Sequence, residues 1–240
     1  MRIAVLSDIH ANIVALDAVL AALGAVDAVW QLGDIVGYGP EPDAVVARLR
    51  ELKAIGVRGN HDAAAVGGLE IDYFNHDARR AMEWTRTAIA KTTRDWLAAL
   101  PERHTEGDFA LVHGSQRDPT WEYITTAPVA RLNLALLEVP FGLHGHTHLP
   151  SVFRDEDGLI EMLSPSDGST LTLGTRRILA NPGSVGQPRD GDPRASALVL
   201  DLERRTLTWQ RVPYDIAATQ RAMRLLKLPD RLVDRLDHGL

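Results

Sequence analysis

The sequence predicts a mixed α/β fold in which two β-sheets pack face to face with helices outside. The first half alternates short apolar runs of strand type with stretches at helical spacing, the pattern of successive βα units. After Pro150 the helical spacing gives way to short strands broken by Gly, Asp and Pro turns. Four polar clusters each follow an apolar run: Asp8-Ile9-His10, Gly33-Asp34, Gly59-Asn60-His61-Asp62 and Gly145-His146-Thr147-His148. In open α/β sheets, sites gather outside the carboxyl ends of the strands, so such clusters converge at one sheet edge.

Ile3–Ser7 is a continuous apolar run of the buried-strand type. Ile13–Leu23 has helical spacing, with Asn12 placed to cap it. Ala28–Leu32 is a second strand, Pro42 opens a helix to about Leu52, and Val57 sits in a short third strand. Asp77–Ala90 and Thr92–Leu100 read as helices, Phe109–His113 as a strand, Pro128–Leu137 as a helix and Phe141–His144 as a strand. Ser151–Phe153, Thr170–Leu173, Arg177–Ala180, Ala195–Asp201 and Thr206–Pro213 follow as short strands, and the turn-rich Asp155–Gly168 reads as a mobile loop. Asp215 caps a helix to about Leu226, and Leu228–Leu236 adds another. With no repeat or linker, residues 1–240 read as one domain.

The net charge is −6 with no basic block, which argues against a nucleic-acid binder. Cysteine is absent, so any metal is held by N and O donors. The apolar start is too short for a signal segment and no run approaches a bilayer span, so a cytoplasmic protein without membrane contact is expected, as a monomer or small homo-oligomer.

The chain has 9 His, and His10, His61, His113, His146 and His148 lie in or near the clusters. Imidazole with carboxylate suits divalent transition metals, Mn²⁺ foremost, with Fe²⁺, Ni²⁺, Co²⁺ and Zn²⁺ as alternatives. Asp8 and His10 are two apart, as are His146 and His148, so on a strand or its extension each pair points to one side.

In this order, the clusters together with His113 resemble the signature of the calcineurin-like metallophosphoesterase superfamily. Gly37-Tyr38-Gly39-Pro40, His113-Gly114-Ser115, Trp121-Glu122-Tyr123 and Asn181-Pro182-Gly183-Ser184-Val185 look like its small bacterial and archaeal phosphodiesterase branch. The resemblance runs to about Arg189 and implies a four-layer αββα sandwich with two metal ions at one rim. It implies that Asp8, His10 and His148 hold one ion, that Asn60, His113 and His146 hold the other, and that Asp34 bridges them. His61 would stand beside the phosphate as a catalytic non-ligand. Asp62 would orient His61 or a nearby backbone turn. Asn12 and Asn60 would lie on the substrate side. Gly37 departs from the acidic or polar residue often found at its position, which bears on subfamily.

The activity so implied is hydrolysis of small phosphodiesters or phosphomonoesters by a hydroxide shared between the metals. The rivals are a scaffold of the same fold, a nuclease and a protein phosphatase. The intact His61 and ligand set disfavour the scaffold, and the acidic charge disfavours the nuclease. His144 reads as a packed strand histidine, and His76, His104 and His238 as surface or capping residues. Trp84, Trp96 and Trp121 read as core, with Trp121-Glu122-Tyr123 also a candidate pocket wall, and Arg189 reads as a solvated turn residue.

Overall fold

The structure, a computed structural model, describes residues 1–240. The chain runs through β1 (Arg2–Leu6), α1 (Ile13–Leu23), β2 (Ala28–Gln31), α2 (Pro42–Glu51), β3 (Ile55–Gly56), α3 (Asn60–Ala65), α4 (His76–Ala88) and α5 (Lys91–Ala99). It continues through β4 (Arg103–Glu106), β5 (Phe109–Val112), α6 (Ala127–Leu136), β6 (Phe141–Leu143), β7 (Ser151–Glu156), β8 (Leu159–Leu163), β9 (Thr170–Thr172) and β10 (Ile178–Asn181). It closes with β11 (Ala195–Asp201), β12 (Thr206–Val212), α7 (Ile216–Leu225) and α8 (Asp230–Asp234).

The strands form two six-stranded mixed sheets, β3-β2-β1-β11-β12-β9 and β4-β5-β6-β10-β7-β8. The first is parallel through β3, β2 and β1, and the second through β5, β6 and β10. All four sandwich layers are present, but unequally. Helices α1, α2 and α5 cover the first sheet, while α6 alone packs on the second, against β7, β8 and β10.

Alternation along each strand sorts its side chains into these layers. Ile3 and Val5 of β1 join Trp30, Phe109, Leu111, Phe141, Leu198 and Leu200 in the core between the sheets. Ala4 and Leu6 face the other way, onto Leu16, Val19 and Val45 of the helices. Such two-sided burial explains why β1 is apolar without alternation. Asn12 caps α1 by accepting from Ala15 N, and Asp215 caps α7 by accepting from Ala218 N.

One expectation is corrected here, and two features carried no expectation from the sequence. The Asp155–Gly168 stretch is not a free loop: β7 and β8 pair as an antiparallel hairpin around Asp157-Gly158, both left-handed at φ 52° and 88°. Asp-Gly between alternating residues is a strong two-residue hairpin signal. Strand β4, with no apolar run, forms by pairing with β5. Asn60-His61-Asp62 does not sit on a plain loop but opens α3, which Ala63, Ala64 and Ala65 favour.

Candidate metal centre

All the clusters meet at one rim of the sandwich. The first sheet brings Asp8 and His10 after β1, Asp34 after β2 and Asn60 after β3, while the second brings His113 after β5 and His146 and His148 after β6. Two groups of donors result: Asp8, His10, Asp34 and His148, and Asp34, His113 and His146, each within 4.8 Å of one another. Asp34 belongs to both, with Oδ2 3.7 Å from His10 Nε2 and 3.3 Å from His113 Nε2. The Asn60 side-chain amide joins the second group, 3.1 Å from His113 Nε2.

The pairs Asp8/His10 and His146/His148 do not converge by strand alternation, as their spacing predicts. Strand β1 stops at Leu6, and Asp8, His10 and Ala11 are left-handed at φ 51°, 50° and 53°. Asp34, His146 and His148 are left-handed too, at φ 52°, 66° and 62°. Asp and His tolerate that region better than most residues, yet so many in one place is stored backbone strain of the kind found at functional sites.

The surrounding chain holds this backbone from several sides. Ser184 Oγ and Gly186 N donate to the Asp8 carbonyl, and Val185 N donates to the Ser7 carbonyl. Asn181 Nδ2 donates to the Gly145 carbonyl, while its own carbonyl accepts from Trp209 Nε1 of the other sheet. Of the two roles expected of Asp62, orienting His61 or a nearby backbone turn, its hydrogen bonds fit the second. Its carboxylate accepts from Ile35 N, Val36 N and Gly59 N, tying the Asp34 loop to the start of α3. Gly59 is glycine for space, because a Cβ there would lie 2.1 Å from Asp34 Oδ1.

Ring hydrogen bonds fix which nitrogen faces inward. His10 Nδ1 donates to the Val36 carbonyl at 3.2 Å, His113 Nδ1 to Leu32 at 2.8 Å and His148 Nδ1 to Gln187 at 2.6 Å. In the neutral ring each Nε2 is therefore a bare lone pair. The His10 and His148 Nε2 atoms face each other at 3.2 Å, and His113 Nε2 faces His146 Nδ1 at 3.1 Å. Asp8 Oδ1 is buried without a hydrogen-bond donor. Buried acceptors turned on one another need positive charge between them. The residues present thus fit divalent cations held by N and O donors.

Electrostatics report the same demand. Burial alone pushes the Asp34 carboxyl up, but the facing His113, with His61, holds it well below the usual carboxylate range. Against its own burial, Asp34 raises His113 to about 9, so without a metal the site draws a proton onto that ring. Burial lowers His10, His146 and His148 well below the ordinary imidazole value, keeping them in the neutral, ligating form.

A cavity of about 130 Å³ opens above this cluster, walled by Tyr38, His61, Phe74, Trp121, Tyr123 and Arg189 among others. His61 Nδ1 lies 3.3 Å from Met82 Sδ, and the ring packs edge-on against Phe74 and His10. Burial lowers His61 to about 4. Gly37 makes room for the ring: it is left-handed at φ 89°, and a Cβ would lie 2.4 Å from His61 Nδ1. Trp121 and Tyr123 belong to the wall, Tyr123 stacking on His146 at 4.1 Å between ring centres. Glu122 instead accepts from Ser115 Oγ and Asn133 Nδ2.

Two further expectations change. Arg189 is no solvated turn residue: it lies over the Tyr38 ring, 5.8 Å from its centre, on the cavity wall. Asn12 lies outside that wall. Its side chain caps α1, donates to the Gly186 carbonyl and accepts from Thr219 Oγ1. His144 is buried beside Asn181 outside both donor groups. The positioning roles of Asn181 and Ser184 had no signal in residue type alone, since they act through contacts with distant backbone.

Residues 1–205 match the calcineurin-like phosphoesterase superfamily domain. The chain is similar to the crystal structure of a metallophosphoesterase from Sphaerobacter thermophilus, at 45% identity and TM-score 0.93, covering 100% of this chain and 99% of that one. It is 35% identical over 245 residues to an uncharacterised protein of Methanocaldococcus jannaschii, spanning 99% of this chain and 98% of the relative. A symmetrical bis(5'-nucleosyl)-tetraphosphatase of Aromatoleum aromaticum is 30% identical over 140 residues, 54% of this chain and 50% of its own length. No helix is long and apolar enough to cross a membrane. The matched span includes every donor gathered at the rim, and the chain belongs to the calcineurin-like phosphoesterase superfamily.

Proposed function

We propose that this protein hydrolyses small phosphodiesters or phosphomonoesters at a centre of two divalent transition-metal ions, manganese first among them. One observation carries the reading: the Asp34 carboxylate belongs to two donor groups at once. A carboxylate can span two cations, and two-metal hydrolases hold theirs about 3.5–4 Å apart. Asp8, His10 and His148 would hold one ion, and Asn60, His113 and His146 the other. When bound, the pair supplies an activated water and charge to neutralise the phosphoryl oxygens.

The chain's own residues do the rest. Ring tautomers set by the Val36, Leu32 and Gln187 carbonyls present lone pairs without reorganisation. His61 is neutral near pH 7, so its first role is an N–H hydrogen bond to a phosphoryl oxygen. Met82 Sδ is a weak partner for Nδ1, and an incoming anion selects the tautomer protonated at Nε2. An anionic phosphate beside the ring raises its pKa, so that the ring can take up a second proton and, as imidazolium, give its Nε2 proton to the departing alkoxide and return to the neutral form. Tyr38, Phe74 and Trp121 shield the reaction from bulk water.

The test is turnover of a panel of phosphomonoesters, phosphodiesters and dinucleoside polyphosphates with Mn²⁺, Ni²⁺, Co²⁺, Zn²⁺ and Mg²⁺. The tetraphosphatase relative is the reason to include the last substrate class. Metal-dependent turnover of at least one class is expected, and its absence across the whole panel overturns the reading.

A further inference from the structure

The cavity over the metal centre does not end at its own wall. Tyr38, Tyr123 and Arg189 also line a second, wider cavity of about 990 Å³, which continues outward beneath α8 and the turn after it. On its far side stand Arg231 and Arg235. Neither of these, nor Arg189, has an Asp or Glu within salt-bridge distance, whereas the neighbouring Arg224 is paired with Asp234 at 3.1 Å. Asp77 and Asp234 also border the space, but Asp77 faces His76 and Asp234 is taken by Arg224.

Arg231 is exposed at the edge of the cavity, while Arg189 and Arg235 are partly buried. Arg189 is half-buried over Tyr38, and its Nε is buried without a partner. Arg235 donates from Nε to the Leu240 carbonyl. Burial lowers Arg235 to about 10, and the like charge of Arg189 adds to the effect. Guanidinium groups gathered in a partly dry recess repel one another, so the arrangement costs stability unless an anion comes between them. Guanidinium favours phosphate, which it can bind through two parallel N–H bonds. The opposite wall of the inner cavity carries Tyr73, Phe74 and Trp121, with ring centres 5.4 Å apart for Phe74 and Trp121. Such faces suit a planar base.

We infer that the outer cavity is a second anion subsite, in which Arg189, Arg231 and Arg235 hold the distal phosphates of a polyphosphorylated nucleotide whose scissile phosphate sits over the metal centre. The inference rests on the proposed phosphoesterase reading and narrows its substrate class from simple esters to extended ones. Arg189, shared by both cavities, links the two halves of the site.

The experiment titrates the metal-loaded protein by calorimetry at a fixed excess of Mn²⁺. The probes are the β,γ-methylene analogue of ATP and methylphosphonate, which carries one anionic group. Wild type should bind the nucleotide analogue at least 10-fold more tightly. Arg231→Gln with Arg235→Gln should weaken the analogue about 10–100-fold, as loss of charge-assisted hydrogen bonds does, and weaken methylphosphonate far less. Arg50→Gln with Arg131→Gln, two exposed changes that remove the same charge, should move neither. Wild-type affinity of the double variant for the analogue overturns the subsite, as does an equal loss for both probes. The analogue recovered after the titration is checked to be uncleaved, so binding is read apart from turnover and the subsite stands or falls separately from the activity. An Arg-dependent preference in a protein that hydrolyses nothing would uphold the subsite and remove the phosphoesterase reading.

Discussion

Asp34 and His61 separate two functions that the site combines. Asp34→Asn removes the charge that two donor groups share, and an amide oxygen bridges two cations poorly. Metal analysis of the purified variant should find at most one tightly held ion per chain; two would show that Asp34 is not the bridge. His61→Gln should keep both ions and lower turnover by about 10²–10⁴-fold, the usual range for a general acid–base group. A smaller loss with nitrophenyl leaving groups assigns His61 to proton donation, and an equal loss for good and poor leaving groups assigns it to phosphate binding. Asp62 acts at one remove, since its carboxylate accepts three backbone N–H groups. Asp62→Asn turns one accepting oxygen into a donor facing donors. It should cost about 1–3 kcal/mol of stability in a denaturant titration and loosen metal affinity, while Asp62→Glu should not recover the short reach.

At the scale of elements, the hairpin of β7 and β8 marks where patterning was misread. Amides along Leu159–Leu163 that face β7 should exchange slowly with solvent. Exchange as fast as an open loop would restore the mobile-loop reading. The strand–helix alternation of the first half was legible because each element carries its own signal: the apolar run of β1, the Asn12 cap of α1, the Pro at the start of α2. Strand β4, with the polar residues Arg103, His104, Thr105 and Glu106, carries no such signal and exists through its pairing with β5. The donor set was legible through residue type and order, with the family resemblance supplying which donor goes with which ion. The left-handed backbone that aims Asp8, His10, His146 and His148 was not, since a two-residue spacing looks the same in a strand and in a coil. Arg189 was misjudged for a related reason, because its wall position depends on Tyr38, distant in sequence.

Across the whole molecule, the centre draws its donors from both sheets, so metal binding and folding are linked. Each cation bound to the native chain alone stabilises it by about 2.7 kcal/mol at 100 times its dissociation constant. At this chain length that is a rise in Tm of roughly 5–10 °C, and a chelator should remove it. Asp34→Asn should respond to chelation by less than half as much. An unchanged Tm for the wild type on chelation would mean that the rim is as stable empty as filled.

The same division between sheets sets a schedule for the ribosome. Strand β1 is made well before one of its two neighbours, β11, which begins at Ala195, and Val185 and Gly186 brace the Asp8 loop. A nascent chain that has released His148 still lacks the β11 edge and the Asn181–Gly186 brace. Contacts of such long sequence separation form late. A growing chain short of β11 therefore meets free cations with its donors unassembled, and any ions it holds would enter only once β11 has been made.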